Sequence, residues 1–248
     1  VLLRMGLYPP EQNSINLDTD KPSLQNVVLT TTNDNDSYAK EGEDLTLSFS
    51  VVGREIIQSP TVLIENQNVS ATLSEGVWEA TYPVTATDNG TADFLITFAD
   101  EAGNVGDNVS GPLEDTSQIT IDNDDPILTR VIISSDNDNT TLAKAGDNIT
   151  LSFTSSETIQ TPVITLADDD SLSVIDNSSN QDGTSWEVVY PVTAGETERD
   201  TTFSIYFKDI AGNEGVSKNH TVVDNTIQIN TSIAWDSDLI GVIDINII

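Results

Sequence analysis

Short runs in which apolar and polar residues alternate, separated by turn-forming residues, make up most of the chain. Leu45, Leu47 and Phe49 alternate with Thr46, Ser48 and Ser50. Trp78, Ala80, Tyr82 and Val84 alternate with Glu79, Thr81 and Pro83, and Phe94, Ile96 and Phe98 with Leu95 and Thr97. Further along, Ile149, Leu151 and Phe153, then Trp186, Val188, Tyr190 and Val192, then Phe203, Ile205 and Phe207 repeat the pattern. A period of two gives each strand one buried and one solvated face, the signature of antiparallel sheet. No segment carries a helical stripe, and the abundance of Thr, Val and Ile favours strands.

The pattern occurs twice because the chain is an internal repeat. Ala39-Lys-Glu-Gly-Glu-Asp-Leu-Thr-Leu-Ser-Phe49 returns as Ala143-Lys-Ala-Gly-Asp-Asn-Ile-Thr-Leu-Ser-Phe153, 104 residues later. Trp78-Glu-Ala-Thr-Tyr-Pro-Val-Thr-Ala86 returns as Trp186-Glu-Val-Val-Tyr-Pro-Val-Thr-Ala194, and Phe98-Ala-Asp-Glu-Ala-Gly-Asn104 as Phe207-Lys-Asp-Ile-Ala-Gly-Asn213. Ile15-Asn-Leu-Asp-Thr-Asp-Lys-Pro22 aligns with Ile119-Thr-Ile-Asp-Asn-Asp-Asp-Pro126, and Val223-Asp-Asn-Thr226 reads as a weaker third copy without the proline. The division expected is residues 1–14 as a terminal strand or the end of a preceding domain, 15–122 and 123–226 as two repeats, and 227–248 as terminal strands. These last would begin a third repeat or be donated to another subunit. About seven short strands in about 100 residues reads as an immunoglobulin-like sandwich without the disulfide of antibody domains. The fold class is therefore all-β: two tandem immunoglobulin-like antiparallel β-sandwiches with extra terminal strands.

Charge narrows the partners. With 9 basic against 41 acidic residues in 248, a net charge of −32, the chain is unsuited to nucleic acid or anionic lipid. Cations are its natural partners, since a compact chain so one-sided repels itself. There is no cysteine, hence neither disulfide nor thiolate metal site. No apolar run approaches the ~18 residues of a membrane helix. Glycosylation sequons occur at Asn35, Asn68, Asn89, Asn108, Asn139, Asn148, Asn177, Asn219 and Asn230. That is about twice what 21 Asn with 54 Ser and Thr would give by chance. The excess favours a glycosylated surface protein, although an Asn- and Thr-rich β-protein also generates unused sequons.

The acidic linker ending in proline, the A-K-x-G-D-x-[LI]-T-L-x-F strand, the W-x-x-x-Y-P-V strand and the F-x-D-x-A-G-N turn together resemble the tandem bacterial and archaeal Ig-like repeats of large prokaryotic surface proteins. Repetitive adhesins and surface-layer proteins carry such repeats. The resemblance spans residues 15 to 226 and implies an extracellular, cell-surface location and calcium held between domains.

The residues themselves offer Ca²⁺ its oxygen donors at loops and linkers. The candidates are Asp122, Asn123, Asp124 and Asp125 at the linker; Asp18 and Asp20 at its earlier copy; and Asp224 at its later one. Loop residues Asp34, Asp36, Asp136 and Asp138, with Asn33, Asn35 and Asn137, join them, as do Asp100, Glu101 and Asp209 in the two D-x-A-G-N turns. No twelve-residue EF-hand loop is present. The alternative is that these residues only form Asx turns, with Gly103 and Gly212 at positive φ.

Catalysis has no comparable signal. His220 is the single histidine, and there is no cysteine nucleophile, G-x-S-x-G elbow or phosphate loop. Trp78 and Trp186 alternate as core residues rather than as sugar platforms. The expected function is a non-enzymatic structural component of a secreted surface layer, filament or adhesin stalk, with its domains rigidified by Ca²⁺. The partners expected are neighbouring copies or domains of the same protein, with strand exchange as one route to a homopolymer. The alternative is an adhesin module that binds glycan or protein through end loops such as 166–185.

Overall fold

The structure, a computed structural model, describes residues 17–53, 55–111, 118–217 and 228–229. His220, Asp224, Asn219, Asn230 and the two terminal segments other than Gln228–Ile229 lie outside these, as does the third linker copy at 223–226.

The first repeat contains β1 (Leu24–Thr31), β2 (Tyr38–Ala39), β3 (Asp44–Val51), β4 (Thr61–Ile64), β5 (Gln67–Val69), β6 (Thr72–Ser74), β7 (Val77–Pro83), β8 (Gly90–Thr91), β9 (Phe94–Thr97), β10 (Val109–Ser110) and β11 (Thr120–Ile121). One four-stranded sheet runs β1-β3-β7-β6 and a second β10-β9-β4-β5. Lettered in chain order, these are the A-B-E-D and G-F-C-C′ sheets of an immunoglobulin-like sandwich. Register follows the hydrophobic pattern: Leu45, Leu47 and Phe49 on β3 lie opposite Tyr82, Ala80 and Trp78 on β7. All six are buried, and a one-residue slip of either strand would turn its row to solvent. The β4–β5 and β6–β7 hairpins turn on Glu65-Asn66 and Glu75-Gly76, all four at positive φ, as two-residue hairpins require.

The second repeat contains β12 (Leu128–Ser135), β13 (Leu142–Ala143), β14 (Asn148–Ser155), β15 (Val163–Leu166), β16 (Val174–Asp176), β17 (Ser185–Pro191), β18 (Arg199–Asp200), β19 (Phe203–Tyr206) and β20 (Gln228–Ile229). Sheet β12-β14-β17-β16 and the pair β15-β19 repeat the arrangement, antiparallel throughout. Its core includes Phe153, Leu151, Ile149, Trp186, Val188, Ile205 and Phe207. The D–E connection is longer here: residues 177–184 replace the two-residue turn and contain the short 3₁₀ turn Ser179–Gln181. Among the described residues this is the only helical element, and no helix is long and apolar enough to cross a membrane.

Small sheets finish each repeat. Thr120–Ile121 pairs in parallel with Tyr38–Ala39, and Gln228–Ile229 pairs in parallel with Leu142–Ala143. β20 thus takes the place in the second repeat that β11 takes in the first, two residues past the boundary expected at 226. The described residues divide into two compact units, those within 1–32, 44–83 and 91–119 and those within 33–43, 84–90 and 120–248.

Candidate metal centres

Each D-x-A-G-N segment folds into a turn closed by its own aspartate. Asp100 accepts the Asn104 backbone N–H at Oδ1 (2.8 Å) and the Asn104 side-chain amide at Oδ2 (2.8 Å). Asp209 does the same with Asn213 at the same distances. The chain reverses at Gly103 (φ 94°) and Gly212 (φ 90°), where a side chain would be strained. The carbonyls of Asp100 and Asp209 accept the amides of Gln58 (2.9 Å) and Gln160 (2.8 Å). Ile57 and Ile159, beside those glutamines, bridge the same aspartates by backbone pairing. This fastens a B–C loop segment, Glu55-x-Ile-Gln in the first repeat and Glu157-x-Ile-Gln in the second, against each turn.

The linker aspartates complete the arrangement. The amide of Asn104 also donates to the Asp18 carbonyl (3.2 Å), and that of Asn213 to the Asp122 carbonyl (2.9 Å). Asp18 and Asp122 each form an Asx turn, accepting the N–H of Asp20 and Asp124 at 3.1 Å. The outcome is one triad in each compact unit, Asp18/Glu55/Asp100 and Asp122/Glu157/Asp209. In each, one oxygen from every carboxylate lies within 4.8 Å of the others. An ion with Ca–O bonds of about 2.4 Å spans oxygens up to about 4.8 Å apart, so the spacing fits a single Ca²⁺. The donors are all oxygen, which suits Ca²⁺, Mg²⁺ or Mn²⁺ rather than Zn²⁺.

In the second triad burial and like charges both act against ionisation of the carboxylates. Burial pushes Asp122 up from the ordinary carboxylate value; the Asp124 N–H opposes this, and the charges of Asp209 and Asp124 add to it. Glu157 is likewise pushed up by burial and then by the charges of Asp122, Asp209 and Asp124. Among the described residues no ion pair involves a member of either triad. Asp100 is fully buried, which alone would raise its pKa. Hydrogen bonds from Asn104, Gly103 and Ala102 outweigh that and hold it below the ordinary value, keeping it a carboxylate.

The other candidates lie apart. Asn123 is a clamp: its oxygen accepts the Glu41 N–H, and its amide donates to the carbonyls of Thr85 (3.0 Å) and Asp88 (2.8 Å). Asp124 accepts the Asn89 amide at 3.4 Å, while Asp20, Asp34, Asp36, Asp125 and Asp138 are exposed and belong to neither triad. Asp136 caps a strand end through the backbone and side chain of Asn148. Of the sequon asparagines, Asn68, Asn89, Asn108, Asn139 and Asn177 are exposed and Asn35 and Asn148 are partly covered. Sequence reasoning missed Glu55 and Glu157. Their signal was Glu-x-Ile-Gln-x-Pro, present at 55–60 and again at 157–162.

No protein-family model matches the chain, and no curated protein is similar in sequence. Solved structures resemble it in part. Fibronectin(III)-like modules of Clostridium thermocellum CbhA share 10% identity over 82% of this chain and 94% of theirs, with a TM-score of 0.37. Murine CEACAM1b shares 12% over 83% and 99%, with a TM-score of 0.37. The D00-D0 domain of Intimin shares 14% over 78% and 100%, with a TM-score of 0.32. The immunoglobulin-like assignment rests on the strand order and register described above.

Proposed function

We propose that the chain is a non-enzymatic structural segment of a secreted cell-surface assembly, its Ig-like domains rigidified by calcium at the linker and turn. The observation that carries this reading is the recurrence of the triad. Positions 18, 55 and 100 converge in one repeat, and positions 122, 157 and 209, their equivalents, converge in the other. Turn formation alone accounts for the aspartates, which have local backbone partners. It does not account for Glu55 and Glu157, brought in twice from a separate loop. A bound divalent cation supplies the positive charge that three adjacent carboxylates lack. Asp122 then ties the acidic linker to the turn at Asp209, and Glu157 ties the B–C loop to both, removing freedom at the point where the chain leaves one repeat for the next.

The experiment is small-angle scattering with thermal melting, in calcium and after chelation. The expected result is a larger spread of conformations and a lower midpoint without calcium. At a free ion concentration 100 times Kd the stabilisation is about 2.7 kcal/mol. Scattering and melting both unchanged on chelation would overturn the reading.

A further inference from the structure

In the second compact unit the loop 33–43 closes on the turn 209–213. The Asn33 amide, in a residue 8% exposed, donates to the Ala211 carbonyl at 2.8 Å, and the Lys40 ammonium donates to the Gly212 carbonyl at 2.6 Å. Ala211 and Asn213 are buried there, at 2% and 9% exposure. A Cβ placed on Gly212 would meet the Lys40 ammonium at 3.5 Å.

Both halves of this contact exist a second time. The loop 137–147 has the conformation of the loop 33–43, bond for bond. Asn137 Oδ1 accepts the Asn139 N–H as Asn33 Oδ1 accepts that of Asn35, and the Leu142 N–H reaches the Asn139 carbonyl as Tyr38 reaches Asn35. Asp147 stands where Glu43 stands, accepting the Asn137 amide and the Lys144 N–H. The loop is thus already folded for docking. Lys144, without a turn carbonyl to reach among the described residues, folds back onto Asp147 (2.9 Å) and keeps its side chain 62% exposed. The turn 100–104 has the fold of the turn 209–213, yet Ala102 and Gly103 are exposed, and among the described residues nothing lies within 4 Å of a Cβ placed on Gly103. Among the described residues neither the Ala102 nor the Gly103 carbonyl accepts a hydrogen bond.

We infer that the loop 137–147 of one copy of this chain docks on the turn 100–104 of a second copy, Asn137 donating to the Ala102 carbonyl and Lys144 to the Gly103 carbonyl. The contact is heterologous, a loop against a turn, so a single contact leaves one half free on each copy, and association either continues copy by copy or closes into a ring. The occupant is a second copy because the turn that this loop chemistry already grips within the chain recurs, open, at 100–104. Within the chain the contact is assisted by a linker, whose effective concentration is of order millimolar. Between copies it needs comparable protein concentrations. The interface belongs to the assembly proposed above but does not require its cations.

Sedimentation velocity of the intact chain up to about 1 mM, in calcium and separately in chelator, tests this. The wild-type chain is expected to self-associate as concentration rises, in both conditions. Lys144→Glu removes the loop donor and Ala102→Arg blocks the turn; both positions are exposed, and melting curves check that each variant folds. Each alone is expected to lower the association constant at least about tenfold. An equimolar mixture restores association only to dimers, because one partner has an intact turn and the other an intact loop. A monomeric wild type at about 1 mM, or association that either variant leaves unchanged, overturns the proposal. Association that persists in chelator while the scattering test above fails would retain this interface and remove only the ion.

Discussion

Glu157 and Asp147 show opposite uses of a carboxylate. Burial and the charges of Asp122, Asp209 and Asp124 raise the Glu157 pKa, so without a cation its charge costs stability, increasingly as pH rises through its titration. Glu157→Gln removes that cost. At pH 7 in chelator its second repeat is expected to melt above wild type, and in saturating calcium below it, by scanning calorimetry in both buffers. The ordering should reverse between buffers; a variant equally lowered in both would mean a packing role only. Asp147 is also opposed by burial, but the Asn137 amide and the N–H and ammonium of Lys144 outweigh it and hold its pKa below the ordinary carboxylate value. A lowered folded pKa gives stability that is present above pH 4 or so and lost as pH falls through the folded value. Asp147→Asn cannot titrate, so its melting midpoint should fall less than wild type between pH 5 and pH 2.5 or so. Asp100 and Asp209 were legible in the sequence because the D-x-A-G-N motif advertises a turn. Glu55 and Glu157 were not, because the repeated Glu-x-Ile-Gln-x-Pro marks a shared loop without saying what it meets; the hydrogen bonds of Gln58 and Gln160 and the backbone pairing of Ile57 and Ile159 bring it to the turn.

At the scale of elements the alternation of apolar residues was sufficient for the large sheets. Leu45, Leu47 and Phe49 face inward because the pleat puts every second side chain on one face, and the partner row Trp78, Ala80 and Tyr82 has the same period. The small closing strands were harder to place. Gln228–Ile229 is two residues long, and only its parallel pairing with Leu142–Ala143 identifies it as the repeat's last strand. One spacing joins the turn to the core: Gly106 and Gly215 each lie two positions past the Asn of A-G-N, close against a phenylalanine ring. A Cβ on Gly215 would sit 2.0 Å from Phe207 Cε2, and one on Gly106 2.3 Å from Phe98 Cε2. Phe207 is itself 1% exposed and has little room to move. Gly215→Ala should therefore cost about 1–3 kcal/mol, read as a lower denaturant midpoint at unchanged slope. An unchanged midpoint would show that the ring rotates away freely.

Across the whole molecule the net charge of −32 sets the frame. Such a chain gains from any bound cation, but diffuse screening and specific sites respond differently: screening follows ionic strength, whereas a site saturates at a fixed stoichiometry. Composition raises the expectation that cations bind. It could not locate them, since most of the acidic candidates, including Asp34, Asp36, Asp125 and Asp138, are solvated turn residues outside the triads. The measurement that bears most directly on this account is calorimetric titration of calcium into the chelator-treated chain at physiological salt, repeated with Glu55→Gln and Glu157→Gln combined. The account predicts saturable binding at two ions per chain for the wild type, with both sites at least about tenfold weaker in the double variant. Heat that never saturates, or a stoichiometry untouched by the two substitutions, would contradict it.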